Sequence, residues 1–161
     1  TLNIHPSLLP KYRGRYSLVH AISEGEKYTG LTSHWLGREI DLGNIISKKK
    51  IKILNDDTGG TLYKKFTDGA ILEFKKIFDK IINKEKIITY KQKKGTTHYK
   101  KKHFPNDGKI DWSWSGKKIY NFLRAMIHEP FPPPEIKIGD KNYYLVSKNY
   151  VLEKNLIKSP K

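Results

Sequence analysis

"LNIHPSLLPKYRG", residues 2–14, decides the reading of this 161-residue chain. Leu2–His5 has the look of a strand end, in which Asn3 and His5, two residues apart, project to the same side. Pro6 and Pro10 then interrupt regular pairing, because proline lacks an amide hydrogen and has a fixed φ. A polar pair at the C-terminal tip of a strand, followed by a turn, is the expectation.

Outward from that stretch, "YSLVHAISEG" (residues 16–25) reads as a short helix closed by a left-handed cap at Gly25. "YTGLTSHWL" (28–36) alternates loosely as a strand, "GREIDLG" (37–43) as a turn, and "NIISKKKIKIL" (44–54) as a further strand with Ile45, Ile51 and Ile53 inward. The clearest helix spans about Thr61 to Ile82. Leu62, Phe66, Ala70, Phe74, Ile77, Phe78 and Ile81 recur there at three- and four-residue steps, with Asp57 or Thr58 as cap. The basic stretch 88–108 has turn signals and little core, so a surface connection is expected. Ser115 can cap a helix burying Ile119, Phe122, Leu123 and Met126. The prolines of "HEPFPPPE" (128–135) forbid helix, and "IKIGDKNYYLVS" (136–147) reads as a hairpin turning at Gly139–Asp140. There are no internal repeats.

The alternation of strand and helix in the first half is that of part of a doubly wound α/β sheet. In such sheets ligands bind at the carboxyl edge of the strands, where Asn3 and His5 have been placed.

Composition bounds the function classes. The chain is 37% hydrophobic, 12% aromatic and 30% charged, a globular profile. The absence of Cys rules out a disulfide framework and a thiolate metal centre. No apolar run approaches the roughly 20 residues of a membrane-spanning helix, which argues against a membrane role. The net charge of +16 invites a polyanionic partner. Yet only Arg13, Arg15, Arg38 and Arg124 among the 32 basic residues are arginine, the residue suited to bidentate phosphate contacts. Lysine spread over every solvated face is the favoured explanation of the charge, with a polyanionic partner or an anionic small substrate as the alternative.

Asn3, His5 and Asp41 form a candidate constellation. A neutral imidazole can take a proton near neutral pH when a carboxylate steadies its charged form. An Asn amide can donate to an oxygen that is gaining negative charge. Acyl transfer to an amine needs both. Individually, His5 also suits a structural hydrogen bond beside Pro6, and Asp41 a turn before Gly43.

The ordered set "NIHPSLLPKYRG", "TGLTSHW" and "IDLGNII" resembles the folate-dependent formyltransferase family, in which Asn-x-His, Ser-Leu-Leu-Pro, Arg-Gly, Thr-Gly-x-Thr and Asp-x-Gly follow one another. "DGKIDWSWSGKKIYNFLRAMIHEPFPPP" is similar to the later segment of its methionyl-tRNA and sugar-nucleotide members. The resemblance runs from Asn3 to about Ile138. It implies a partial Rossmann-like sheet, with residues 1–92 the C-terminal part of the catalytic core and residues 93–161 an extension with helix and hairpin. It places the start of the family's core upstream of Thr1.

The resemblance further implies 10-formyltetrahydrofolate as formyl donor and a primary amine as acceptor. That amine would belong to a nucleotide-linked amino sugar, or alternatively to methionyl-tRNA. Asn3, His5 and Asp41 would be catalytic. Ser7, Leu8, Leu9 and Pro10 would form a folate-contacting turn, with the loop from Gly37 to Gly43 along the pterin. Arg13 would meet an acceptor phosphate, unless it makes a fold-stabilising contact. His34 would support the site or serve the strand. No metal is implied, the compartment would be the cytoplasm, and a homo-oligomer is compatible. A different class of reading remains: a basic binding module or truncated remnant without catalysis.

Overall fold

The computed structural model describes residues 1–93, 98–99, 104–128, 134–138, 140–147 and 150–153. Strands β1 (Leu2–His5), β3 (Tyr28–Trp35) and β4 (Ile45–Lys52) form one sheet in the order β1-β3-β4. Both pairings are antiparallel. Asn3 lies opposite His34, and His5 opposite Thr32. A parallel pair joins β2 (Arg13–Gly14) to β5 (His98–Tyr99). The hairpin of β6 (Glu135–Ile138) and β7 (Lys141–Ser147) has Ile138 opposite Lys141, as the sequence suggests, and β8 (Tyr150–Glu153) adds a third strand. The "HEPFPPPE" prolines at 130 and 132–133 lie outside the described residues.

Helix α1 (Ser17–Ser23) is buried at every position, including its polar residues Ser17, His20 and Ser23. It ends at Gly25, whose φ of +74° is the left-handed conformation that a residue without Cβ adopts freely. Around it gather Leu18, Val19 and Ile22, Ile53 after β4, Leu62 of α2 (Gly59–Ile82), and Phe122, Ala125 and Met126 of α3 (Gly116–Met126). Thr58 caps α2 through a reciprocal box with Thr61, each side chain meeting the other's backbone amide. Ser115 caps α3 by accepting from the Lys118 amide.

Two expectations are corrected. The apolar stripe of α2 is only partly core. Leu62 and Ile77 are buried, whereas Phe74, Phe78 and Ile81 lie on the exposed surface, with Phe74 stacked on Phe78 at 5.6 Å. The helix is anchored to β4 by polar contacts instead: Glu73 is buried, forms an ion pair with Lys49 at 2.6 Å and accepts from Ser47 at 2.5 Å. Of the stretch read as a surface connection, the described residues 88–93 and 98–99 do more than connect. Tyr90 forms an antiparallel bridge with Ile45, and His98–Tyr99 pairs with β2.

Candidate functional site

Three chain segments converge at the tip of β1. The first is Asn3–Gly14 itself. The second is the end of β3 and the loop 36–44, pinched at its neck where Gly43 lies against the Trp35 carbonyl. A Cβ at position 43 would stand 1.5 Å from that oxygen, so only glycine fits. The third is the segment carrying Gln92. Asp41 sits at the loop's apex with φ +54°, a conformation that Asp tolerates better than most residues.

The predicted trio is brought together. His5 Nδ1 lies 3.4 Å from Asp41 Oδ2. Asn3 Nδ2 donates to Asp41 Oδ1 at 3.3 Å and meets His34 Nε2 at 3.0 Å. The Gly14 amide donates to Asp41 Oδ2 at 2.8 Å. The Tyr12 carbonyl, which can only accept, lies 2.8 Å from His5 Nε2, so that nitrogen carries a proton and Nδ1 is the one left to receive another. By the same reasoning His34 Nδ1 donates to the Trp35 carbonyl at 2.9 Å, and its Nε2 accepts from Asn3. His34 thus bonds to its own strand on one side and to Asn3 on the other, as both of its readings require. His34 is fully buried and its ring steadies Asn3.

Electrostatics follow from this packing. Burial pulls the His5 imidazole below its usual value, although the Asp41 carboxylate and the Tyr12 carbonyl pull the other way. Burial pushes the Asp41 carboxyl up, but the His34 and His5 rings and the Gly14 amide pull harder, leaving it below the usual carboxylate range. At neutral pH the pair is therefore a neutral imidazole beside a carboxylate.

The turn after β1 is stitched to the sheet. Thr32 Oγ1 donates to the Ser7 carbonyl at 2.7 Å and accepts from the Leu9 amide at 3.1 Å, and Ser7 Oγ donates to the Lys11 carbonyl at 2.7 Å. Ser7 and Leu9 are fully buried, which leaves Leu8 and Pro10 to present surface. A cavity of about 560 Å³ opens there, lined among others by Leu8, Pro10, Tyr28 and Lys48; His5 and Asp41 do not line it. Gly37 stands beside Gly43 at the loop neck. Arg13 is buried, its Nε and Nη2 donating to Gln92 Oε1 at 3.3 and 2.7 Å. Among the described residues no group of three or more His, Asp and Glu is arranged to hold a metal ion, and no helix is long and apolar enough to cross a membrane.

Sequence reasoning missed Tyr12 and Gly14, which act through backbone atoms, and Gln92, which sits in a stretch with no periodic pattern. The Arg-Gly of the motif was the available signal for Gly14.

The sequence of the chain is similar to that of formyltransferases. Residues 1–74 match the family described as formyl transferase. A GDP-perosamine N-formyltransferase of Brucella melitensis is 34% identical over 147 residues, 91% of this chain and 56% of that protein. A methionyl-tRNA formyltransferase of Staphylococcus epidermidis is 33% identical over 146 residues, 91% of this chain and 46% of that protein. The chain thus spans about half the length of these curated relatives. Among solved structures, the N-formyltransferase from Helicobacter canadensis, in complex with folinic acid and dTDP-3-aminofucose, matches with a TM-score of 0.74 at 24% identity. It covers 89% of this chain and 61% of its own. The fold is accordingly the α/β, Rossmann-like one of this family.

Proposed function

We propose that the protein carrying this chain transfers a formyl group from 10-formyltetrahydrofolate to a primary amine, that of a nucleotide-linked amino sugar. The observation behind this is the His5 ring held between two acceptors, with Asp41 at 3.4 Å and the Tyr12 carbonyl at 2.8 Å, next to the Asn3 amide. The donor set fits a flat heterocyclic donor, because Ile40 and Leu42, exposed by 61% and 38%, flank Asp41 with apolar surface.

When bound, 10-formyltetrahydrofolate would supply the formyl carbon that an amine attacks; the bond from that carbon to the donor nitrogen would break, and tetrahydrofolate would leave with the proton that the amine gives up by way of His5. Asn3 donates to the formyl oxygen. Its two amide hydrogens are directed at His34 and Asp41, and the longer bond, 3.3 Å to Asp41, is the one a substrate oxygen replaces. His5 Nδ1 takes the proton that the attacking amine loses. Asp41 and the Tyr12 carbonyl then stabilise the imidazolium, with the Gly14 amide fixing the carboxylate. Leu8 and Pro10 supply the exposed part of the folate-contacting turn, and Ser7 and Leu9 hold its shape. The cytoplasm, as the compartment of folate donors, suits this reading.

The long amphipathic helix after "NDDTGG", the "EPFPPP" stretch and the GDP-perosamine relative support the sugar-nucleotide acceptor. A second reading, methionyl-tRNA, is carried by the methionyl-tRNA relative and by the charge of +16. The test is incubation of the full-length protein with 10-formyltetrahydrofolate and a panel of amino-sugar nucleotides alongside charged initiator tRNA. Formylation of an amino sugar is expected, and transfer to tRNA alone would overturn the acceptor. In the same assay His5→Ala should lose about 10²–10⁴-fold in turnover. Undiminished turnover in that variant refutes the catalytic role.

A further inference from the structure

We infer that Gln92 is a positioning residue: it locks the Asp41 loop at the distance from His5 that the site requires. The inference rests on the proposed formyl transfer only for the kinetic part of its test. Its placement is a consequence of strand register. Tyr90 and Ile45 exchange backbone hydrogen bonds at 3.0 and 2.8 Å in an antiparallel bridge. Two residues on along one chain and two back along the other, Gln92 falls beside Gly43.

There the side chain uses its whole hydrogen-bonding capacity. Nε2 donates to the carbonyls of Asp41 at 2.6 Å and Gly43 at 2.9 Å, while Oε1 accepts both Arg13 contacts. Arg13 belongs to β2, the same two-residue strand whose Gly14 amide holds Asp41 Oδ2. One amide therefore ties the backbone of the loop that carries Asp41 to the strand that orients its carboxylate. Loop and strand cannot separate without breaking these bonds, and the left-handed φ at Asp41 needs such external support. Arg13 acts here by anchoring Gln92, so its guanidinium serves the loop.

The donors to the loop carbonyls are the part that matters, which makes Gln92→Glu the informative variant. It keeps the length of the side chain and the acceptor for Arg13, but it has no hydrogen to offer Asp41 or Gly43. Gln92→Ala removes everything. In the full-length protein both variants are expected to lower kcat by about 100-fold, the usual effect of a displacement near 1 Å in a catalytic group. In Gln92→Ala the acid limb of the pH profile is expected to move to lower pH, because a receding Asp41 no longer raises the His5 pKa. Amide exchange across residues 37–44, which needs no turnover, is expected to accelerate in both variants while α2 stays protected. Wild-type kcat or wild-type loop protection in Gln92→Glu overturns the inference. Should the wild-type protein transfer no formyl group, or His5→Ala remain active, the proposed reaction falls and loop protection alone decides the role of Gln92.

Discussion

Replacing Asp41 by Asn isolates the charge at the centre of the site. The carboxylate stands 3.4 Å from His5 Nδ1. At an effective dielectric constant of 20, a full positive charge on the imidazole gains about 5 kcal/mol from it. Asn keeps the shape and loses the charge; since each 1.36 kcal/mol is tenfold in rate, kcat/KM should fall roughly 10³-fold, part of the loss being recovered by the amide dipole. The direction of the pH effect is fixed too. Asp41 raises the His5 pKa against the lowering by burial, so without it the acid limb of kcat/KM moves to lower pH. Folding is affected modestly. Asp41 accepts from Asn3 on one oxygen and Gly14 on the other, and an amide has one oxygen, so one donor is stranded at a cost of about 1–3 kcal/mol. The assay is formyl transfer by full-length protein across pH, with thermal unfolding alongside. A loss below tenfold, or an acid limb that moves upward, would show that Asp41 does not act on His5 as described.

Gly43→Ala places a Cβ 1.5 Å from the Trp35 carbonyl oxygen, whereas at Gly37 the nearest atoms are 3.8 Å away. Transfer activity and loop protection should therefore collapse in Gly43→Ala while Gly37→Ala still folds, and equal behaviour of the two refutes the pinched neck. Acid stability should depend on Asp57. Burial pushes its carboxyl up, but hydrogen bonds from Lys65, the Leu54 amide and Thr61 outweigh that and depress it. A depressed carboxyl contributes stability that is complete above the ordinary carboxylate pKa and is lost as pH falls through the folded value. The stability gap between wild type and Asp57→Asn, followed by denaturant unfolding from about pH 6 to about pH 3, should shrink toward the acid end. A constant gap contradicts it.

Local chemistry was legible where it is written in neighbouring residues. The strand tip at Asn3–His5, the cap at Gly25, the cap at Thr58, one of two candidates, and the helix cap at Ser115 all follow from adjacent side chains and backbone preferences. What stayed hidden depends on register between distant segments. Asn3 meets His34 because those residues pair across β1 and β3, and nothing in either strand alone specifies that alignment. Gln92 is set beside Asp41 by the Tyr90–Ile45 bridge, inside a lysine-rich stretch without an apolar pattern. The stripe of α2 was visible as periodicity, but periodicity identifies a face and not its cover. Phe74 and Phe78 keep the spacing of a core and stand exposed.

Burial has opposite consequences for the site at rest and for the site in action. At rest, it penalises an isolated imidazolium and keeps His5 neutral, ready to receive a proton on Nδ1. It also penalises the Asp41 carboxylate, which accepts from Asn3 on one oxygen and from the Gly14 amide on the other and stays below the usual carboxylate range. The resting pair thus carries one uncompensated negative charge in a largely enclosed setting. When Nδ1 takes the proton from an attacking amine, that charge is neutralised within the pair, and two acceptors already face the ring. The enclosure that lowers the pKa of His5 alone therefore does not oppose proton capture by His5 and Asp41 together, provided they stay 3.4 Å apart. Holding that separation is the work assigned to Gly14 and Gln92, and it is why residues that never touch a substrate should govern the rate.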